Sequence, residues 1–118
     1  MNNIVKDLSG TLTNIEVIPY DIGFYDNEDA HGQPNEYVVI VPLSDDDEFA
    51  DNAPQMEYQA ARISLFHRGD YLACKRQLIK MLREAGFGIT VRRYAGFQNR
   101  TKHHHYIIEV EGLYRVEE

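Results

Sequence analysis

Hydrophobic residues at helical spacing predict two helices of unequal length. The first covers residues 4–12, where Gly10 and the polar residues that follow it leave room for little more than two turns. The second begins after Asp70, a favourable N-cap residue, and ends where Gly86 can adopt a left-handed conformation with Phe87 in hydrophobic contact. The apolar stripe of this second helix comprises Tyr71, Cys74, Leu78, Met81, Leu82 and Ala85.

Alternating or continuously apolar segments predict five strands. The segment 36–43 is apolar on both faces and is therefore expected in the middle of a sheet, with Pro42 at its end or at an edge position. The segment 56–65 shifts its apolar face between Ala60 and Ala61, as a β-bulge or a sharp bend would require. The five predicted strands are 14–19, 36–43, 56–65, 88–94 and 106–115.

Three polar segments are predicted to be connections. The segment 20–35 collects Asp, Asn, Gly and Pro, the segment 44–54 has five acidic residues among eleven, and the segment 98–105 joins the last two strands. The chain, residues 1–118, is predicted to be a single α+β domain. We expect a single, mostly antiparallel sheet of about five strands, with a helix packed on one face and a long C-terminal β-hairpin.

Charge is divided unequally along the chain. Residues 1–61 contain thirteen acidic residues and one lysine, a net charge of −12, whereas residues 62–118 contain eleven basic and six acidic residues, a net charge of +5. If folding leaves these charges on different surfaces, an acidic patch on one copy complements a basic patch on the next and favours head-to-tail contacts that close into rings. If strands of the two halves interleave, the charge averages out instead.

Length and composition limit the class of protein. A chain of 118 residues fits one domain with a sizeable core, and its single cysteine, Cys74, excludes an intramolecular disulfide. The N-terminal sequence lacks the basic and apolar regions of a signal peptide, and no apolar stretch approaches the length of a membrane span. We therefore expect cytoplasmic synthesis and no membrane partner. The net charge of −7 argues against general nucleic-acid binding, although the basic second half leaves a local surface for it open.

The histidines at 103–105 are the most obvious candidates for metal binding, because imidazole is a ligand of zinc, copper and nickel. Consecutive residues of an extended segment point to opposite faces, so at most two of these three side chains can share one ion. A complete site would need a further ligand such as Glu109 or His67 to converge on the same place. The sequence therefore predicts no metal site.

Catalytic patterns of other kinds are equally weak. The acidic run 45–48 lacks the alternate spacing and the central glycine of an EF-hand calcium loop. Cys74 has His67 seven residues before it, but its place on the apolar helix stripe favours a packed core thiol over a nucleophile. The chain has no nucleophile elbow of the G-x-S-x-G type and no phosphate-binding glycine loop. We expect a protein that is not an enzyme and that uses no cofactor.

The basic and aromatic segment 92–102 is a candidate partner-binding hairpin. Tyr94 and Phe97 stand among basic residues, a combination that can stack single-stranded nucleic acid. The absence of an RNP-type signature favours a solvated hairpin with inward aromatic rings. The candidate partner-binding residues are Arg92, Arg93, Arg100 and Lys102.

The order of several segments resembles a known family. A central strand is followed by an acidic segment ending FADN at 49–52, by the strand RISLF at 62–66, by a helix ending LREAGFGI and by a final YIIEVEG strand. In this order and spacing, over residues 36–115, they resemble the small tail-terminator and tail-completion proteins of long-tailed bacteriophages and prophages.

The resemblance implies a noncatalytic fold, with a mixed or antiparallel sheet flanked by helices, that assembles as a ring. Such a ring, commonly a hexamer, caps the finished tail tube and joins it to the head. The implied partners are other copies of the chain, the tail-tube protein and a head-completion or neck protein, with DNA passing through the ring. The implied location is the head–tail junction of the virion, after assembly in the host cytoplasm.

The N-terminal segment is shorter than the first helix of many relatives, so a head-closure or neck connector protein is the main alternative. A single-stranded nucleic-acid-binding module and a metal-dependent enzyme are competing hypotheses from different classes of protein. Charge division and resemblance together define the candidate subunit-interface residues. These are Asp45, Asp46, Asp47, Glu48, Asp51, Asn52, Lys75, Arg76, Lys80 and Arg83.

Overall fold

The computed structural model describes residues 3–13, 20–22, 35–50 and 53–115. Within these ranges the chain is α+β, with two helices and a sheet. Neither helix is long and apolar enough to span a membrane among the residues described. The elements, in chain order, are α1 (Ile4–Thr13), β1 (Tyr20–Ile22), β2 (Glu36–Ala50), β3 (Ala53–His67), α2 (Tyr71–Glu84), β4 (Gly88–Gln98) and β5 (His103–Arg115).

The sheet has the strand order β1-β2-β3-β5-β4. Strands β2 to β5 pair antiparallel, and the three-residue β1 pairs in parallel with β2 at Val38, Val39 and Ile40. The α+β class with an antiparallel sheet is therefore confirmed. The predicted C-terminal hairpin is seen in part, because β4 pairs with β5 only between His103 and Glu111, whereas β5 continues to Arg115 paired with β3 alone.

Both helices pack on the same face of the sheet and share one core. The face is built from alternate strand residues, because successive side chains of a strand point to opposite sides. From the sheet the core takes Val38, Ile40, Ala61, Ile63, Leu65, Tyr106, Ile108, Val110 and Tyr114, and from the helices and the turn after α2 it takes Ile4, Leu8, Leu12, Cys74, Leu78, Ile79, Leu82 and Phe87.

The ends of α2 form as the sequence predicts. Asp70 is the N-cap, and its Oδ1 accepts a hydrogen bond of 3.3 Å from the backbone N–H of Ala73. At the other end Gly86 has a φ of 93°, which a glycine adopts without the steric cost of a side chain. The N–H of Phe87 donates to the carbonyl of Leu82, and this pattern satisfies carbonyls that the helix leaves open.

The short helix α1 is confirmed and is held at its first turn by two side chains. Its apolar residues Ile4, Leu8 and Leu12 are all buried. The Oδ1 atom of Asn3 accepts a hydrogen bond from the N–H of Lys6, and the Oε1 atom of Gln59 accepts one from the N–H of Ile4, each at 2.8 Å. The second bond joins α1 to β3 and supports a helix that is too short to be stable alone.

The acidic segment 44–54 was predicted to be a loop, and this prediction is wrong. Strand β2 continues through Pro42 to Ala50, and β3 begins at Ala53, so this acidic region belongs to two paired strands. Their long backbone ladder outweighs the low strand propensity of aspartate, which is a weak preference that depends on context. Pro42 therefore does not end the strand but lies beside a bulge.

The bulge that was predicted from the shift of apolar positions in β3 lies in its partner strand, β2. Pro42 pairs with Ala61 and Ser44 pairs with Ala60, so Leu43 is the extra residue and lies in β2. Strand β3 itself stays in register with β5 across this row. Because β3 alternates regularly here, Tyr58 lies on the sheet face opposite to buried Ala61 and away from the helices, where it is exposed.

Two other connections differ from the sequence-based expectation. Residues 20–35 were predicted to be a loop, but Tyr20–Ile22 forms β1; the rest of that segment up to residue 34, and the predicted strand 14–19, lie outside the described residues. The excursion predicted at 98–105 is shorter than expected, since β4 ends at Gln98 and β5 begins at His103. Lys102 has a φ of 66° and donates its N–H to the carbonyl of Gln98 at 2.7 Å, which closes the turn.

Candidate functional site

A basic groove lies between α2 and β4. It is a cleft of about 470 Å³. Its lining includes one acidic residue, Glu84, and one apolar residue, Ile79. We call it the α2–β4 basic groove. Its five basic residues are Lys75, Arg76, Lys80, Arg83 and Arg92. The four candidate interface cations of α2 are therefore brought together with Arg92, which was predicted as part of a separate hairpin surface.

Sequence spacing explains why α2 presents these cations beside the sheet. Leu78 and Leu82 lie four residues apart and are fully buried against the sheet, so the opposite side of the helix faces outward. Arg76, Lys80 and Arg83 follow one another at helical spacing and are exposed. Lys75 is half-buried, and its Nζ lies 4.8 Å from the ring centroid of Tyr106 in a cation–π contact.

Acidic residues are concentrated in the distal part of the β2–β3 hairpin, residues 45–50 and 53–59, which we call the acidic extension. The four acidic residues 45–48 of β2 pair with 56–59 of β3, where Glu57 is a fifth acidic residue. Strand β4 begins at Gly88, and the residues paired across the sheet from it are Glu111 of β5, Ala60 of β3 and Ser44 of β2. The acidic extension lies beyond this row, so β4 does not reach it. The described protein is elongated, with extents of 53 × 26 × 24 Å.

In the described part of the chain, the strands before and after β3 lie on different sides of the sheet. Strands of the two halves do not interleave, because β1 and β2 lie on one side of β3 whereas β5 and β4 lie on the other. Arg92 shares a row with Ile108, Ile63 and Ile40, so two whole strands separate the groove from β2. The candidate interface residues at 45–48 and those of α2 thus lie in two separate parts of the fold. Asp51 and Asn52 lie outside the described residues.

The 92–102 hairpin carries an aromatic cluster on the helix-facing side of the sheet. The side chains of Tyr94 and Phe97 flank His104, with ring centroids 5.9 and 4.9 Å from it, because a bulge between Tyr94 and Gly96 turns both toward the same side. Tyr94 Oη is 2.9 Å from His104 Nδ1, and Tyr71 of α2 packs against the rings of Tyr94 and His104. Tyr94 and Phe97 are 45% and 44% exposed, so the rings are less inward than predicted.

The basic residues predicted for this hairpin do not form one surface. Arg92 lines the groove, whereas its neighbour Arg93 follows it in the strand and points to the other face. Arg100 and Lys102 lie at the turn, and all four are exposed. The basic residues therefore lie on both faces of the hairpin and do not form one continuous surface with the aromatic rings.

The three consecutive histidines separate as strand alternation predicts. His104 joins the aromatic cluster beside α2, whereas His103 and His105 lie on the opposite face with Phe66. Phe66 is stacked between Tyr37 and His105, with centroid distances of 4.7 and 4.4 Å. Burial lowers the pKa of His105, and the nearby charges of Arg93 and then Arg62 lower it further.

The metal-ligand set considered from the sequence is not assembled. Glu109 is engaged across the strands by Arg62, whose Nη2 is 3.0 Å from Glu109 Oε2. His67 lies on the helix-facing side, opposite to the side of His103 and His105. These residues therefore offer no common position for an ion in the described part of the chain.

One group of three potential ligands does converge: Glu36, His67 and Cys74 place a ligand atom each within 4.8 Å of one another. His67 Nε2 is 2.8 Å from Glu36 Oε2, and His67 Nδ1 accepts a hydrogen bond of 2.8 Å from the N–H of Gly69. Because Nδ1 accepts, a neutral His67 carries its proton on Nε2 and donates it to Glu36. Neither ring nitrogen then has a lone pair free for a metal or for the proton of Cys74.

Cys74 also lacks the properties of a nucleophile. Burial raises the pKa of its thiol to about 11, and the negative charge of Glu36 adds to this effect. Reactive cysteines instead have a lowered pKa and an electropositive environment. The partnership of Glu36 with His67 was missed in the sequence because 31 positions separate them and only the pairing of β2 with β3 brings them together.

Searches of family models and of curated proteins found no match to this chain.

Proposed function

We propose that this chain is a noncatalytic morphogenesis protein of a long-tailed bacteriophage or prophage that forms a ring, such as a hexamer, at the head–tail junction. In this role it is a tail terminator or tail-completion protein, and its partners are further copies of itself, the tail-tube protein and a head-completion or neck protein. It is assembled in the host cytoplasm and incorporated into the virion.

One observation carries the proposal: each subunit bears an acidic extension and a separate basic groove. A subunit with two complementary but different surfaces associates head to tail, and such contacts produce rings when the rotation closes. Self-complementary charge at one shared patch would instead favour a two-fold dimer. The separation of the surfaces by β3 and β5 keeps a subunit from satisfying its own charges.

The arrangement of the titratable groups supports a role without catalysis. Both ring nitrogens of His67 are engaged, and the thiol of Cys74 is protonated at neutral pH because its pKa is raised. These groups act as packing and hydrogen-bonding partners. In the proposed role the chemistry of the protein consists of recognition between surfaces.

The experiment that tests this function uses the tag-free protein and the phage that encodes it. Purified protein should form closed rings in negative-stain electron microscopy and a discrete oligomer in light scattering. Disrupting the gene should leave heads and tails unjoined, and adding the purified protein should restore joining. Overlong tails would identify a terminator, whereas tails of normal length would identify a neck or head-closure protein. Normal virions from the disrupted phage would overturn the proposal.

A second candidate function is binding of single-stranded nucleic acid, favoured by the exposed rings of Tyr94 and Phe97 beside Arg92. The rings pack against His104 and Tyr71, which leaves less ring surface for bases. Retention on a single-stranded DNA column that falls steeply with salt, in a protein that forms no ring, would favour this candidate.

A further inference from the structure

Building on the ring proposed above, we infer that the α2–β4 basic groove receives the acidic extension of a second copy of this chain. The contact is heterologous, so each subunit offers its extension to one neighbour and its groove to the other.

The groove has the chemistry of a carboxylate-binding site. Five cations surround a cleft of about 470 Å³ in which Glu84 is the one acidic residue among the described lining residues. Three of the cations are arginines, whose planar guanidinium groups bind carboxylates through two parallel hydrogen bonds. Like charges gathered in one cleft repel each other, and an acidic occupant relieves this repulsion. Ile79 gives the floor an apolar portion against which the stem of an acidic side chain can pack.

The spacing of the cations along α2 matches the spacing of the acidic residues along β2. Along α2, Arg76 and Lys80 are four residues apart, a rise of about 6 Å, and Arg83 follows after about 4.5 Å. Along β2, positions 45 and 47 are separated by about 6.6 Å, as are positions 46 and 48. A strand laid along the helix therefore meets successive cations with acidic residues two positions apart. Long lysine and arginine side chains adjust for the remaining difference.

The occupant has to come from another copy. Within one subunit, β3 and β5 lie between the groove and β2, and the extension continues away from the row where β4 begins. The extension supplies five acidic residues, at 45–48 and 57, against one basic residue, Arg115, in the paired part of β5. A nucleic acid offers phosphates of the same charge, but the −12 of residues 1–61 repels it from the same molecule.

Paired variants test the contact. Lys80→Gln with Arg83→Gln removes two groove cations, and Arg93→Gln with Arg100→Gln removes two exposed cations outside the groove as the matched control. On the extension, Asp45→Asn with Asp47→Asn and Asp46→Asn with Glu48→Gln neutralise the two alternating sets of positions. Circular dichroism and urea unfolding must show that each variant folds like the parent.

Sedimentation velocity gives the readout. We expect the groove variant and one of the two extension variants to self-associate about tenfold or more weakly, and the cation control to change about twofold or less. Mixing the groove variant with the defective extension variant should give a dimer and nothing larger. The reason is that the intact extension of the first fits the intact groove of the second, while their other surfaces are blocked.

The outcomes separate the two proposals. Rings that form equally well in all four variants, or equal losses in the cation control and the groove variant, would overturn the docking and leave the ring function standing. Variants that lose association but give no dimer when mixed would also overturn the docking. If the groove variant at the same time lost binding of a fluorescent single-stranded oligonucleotide, nucleic acid would be the occupant. A parent chain that stays monomeric at every salt concentration would overturn both proposals.

Discussion

His67 donates its Nε2 proton to Glu36 across the paired ends of β3 and β2, at a distance of 2.8 Å. Both side chains are mostly buried, so His67→Ala should leave the carboxylate without its donor and lower the free energy of unfolding by about 1–3 kcal/mol. Glu36→Gln keeps an oxygen acceptor for the same N–H and should cost less. Urea unfolding of the two variants measures the difference, and an equal loss in both would contradict the assigned tautomer.

The buried stripe of α2 gives a second prediction. Leu78 and Leu82 are fully buried, so either residue changed to Ala should reduce the free energy of unfolding by about 2–5 kcal/mol. Exposed Arg76 is the matched control, and Arg76→Ala should stay within about 0.5 kcal/mol. Lys75→Ala should cost about 0.5–1 kcal/mol because it removes the cation–π contact with Tyr106. Denaturant titration checks the order, and losses as large at Arg76 as at Leu78 would mean that α2 is rotated from its assigned orientation.

Local patterns predicted the helices well because their signals are contained in neighbouring residues. The cap at Asp70, the stop at Gly86 and the buried positions Leu78 and Leu82 all depend on spacing within α2. Ala85 was expected on the apolar stripe, but it is the exposed C-cap residue. The difference has a local cause, since the helix ends one residue before it.

Features that depend on distant parts of the chain could not be predicted in the same way. The acidic residues 45–48 have poor strand propensity, and only their pairing with 56–59 places them in a strand. The shift between Ala60 and Ala61 located the row of a bulge, but the extra residue is Leu43 in the partner strand. The groove likewise requires β4 to bring Arg92 beside α2, which no spacing in the sequence reveals.

The raised pKa of Cys74 predicts a slowly reacting thiol. With a pKa of about 11, the thiolate that attacks disulfide reagents is a small fraction at pH 8, and burial blocks access to it. We expect native protein to react with Ellman's reagent far more slowly than the unfolded chain, which should react fully with one equivalent. Absorbance at 412 nm follows the reaction. Fast stoichiometric labelling of the native protein at pH 8 would contradict the assigned environment.

The lowered pKa of His105 makes stability depend on pH. The folded state disfavours the protonated ring, so as pH falls below about 6.5 the unfolded chain takes up a proton that the folded protein does not, and stability is lost. Above that pH both states are neutral and the effect vanishes. His105→Phe keeps an aromatic ring beside Phe66 and removes the titration, so its unfolding free energy should fall less than that of the parent between pH 6.5 and 5. Parallel curves in urea titrations across this range would count against the prediction.

Salt should weaken self-association, because the contacts of the proposed ring join partly exposed charges that are screened over about 8–10 Å at ordinary ionic strength. Asp45→Lys with Asp47→Lys should go further and abolish assembly without unfolding the monomer, since it places cations of the extension against the cations of the α2–β4 basic groove. The two positions lie in the part of the β2–β3 hairpin that continues beyond the end of β4, so circular dichroism should stay native. Sedimentation at low and high salt measures both effects. Assembly of the charge-reversed variant to the same extent as the parent would show that the acidic extension is not at the interface.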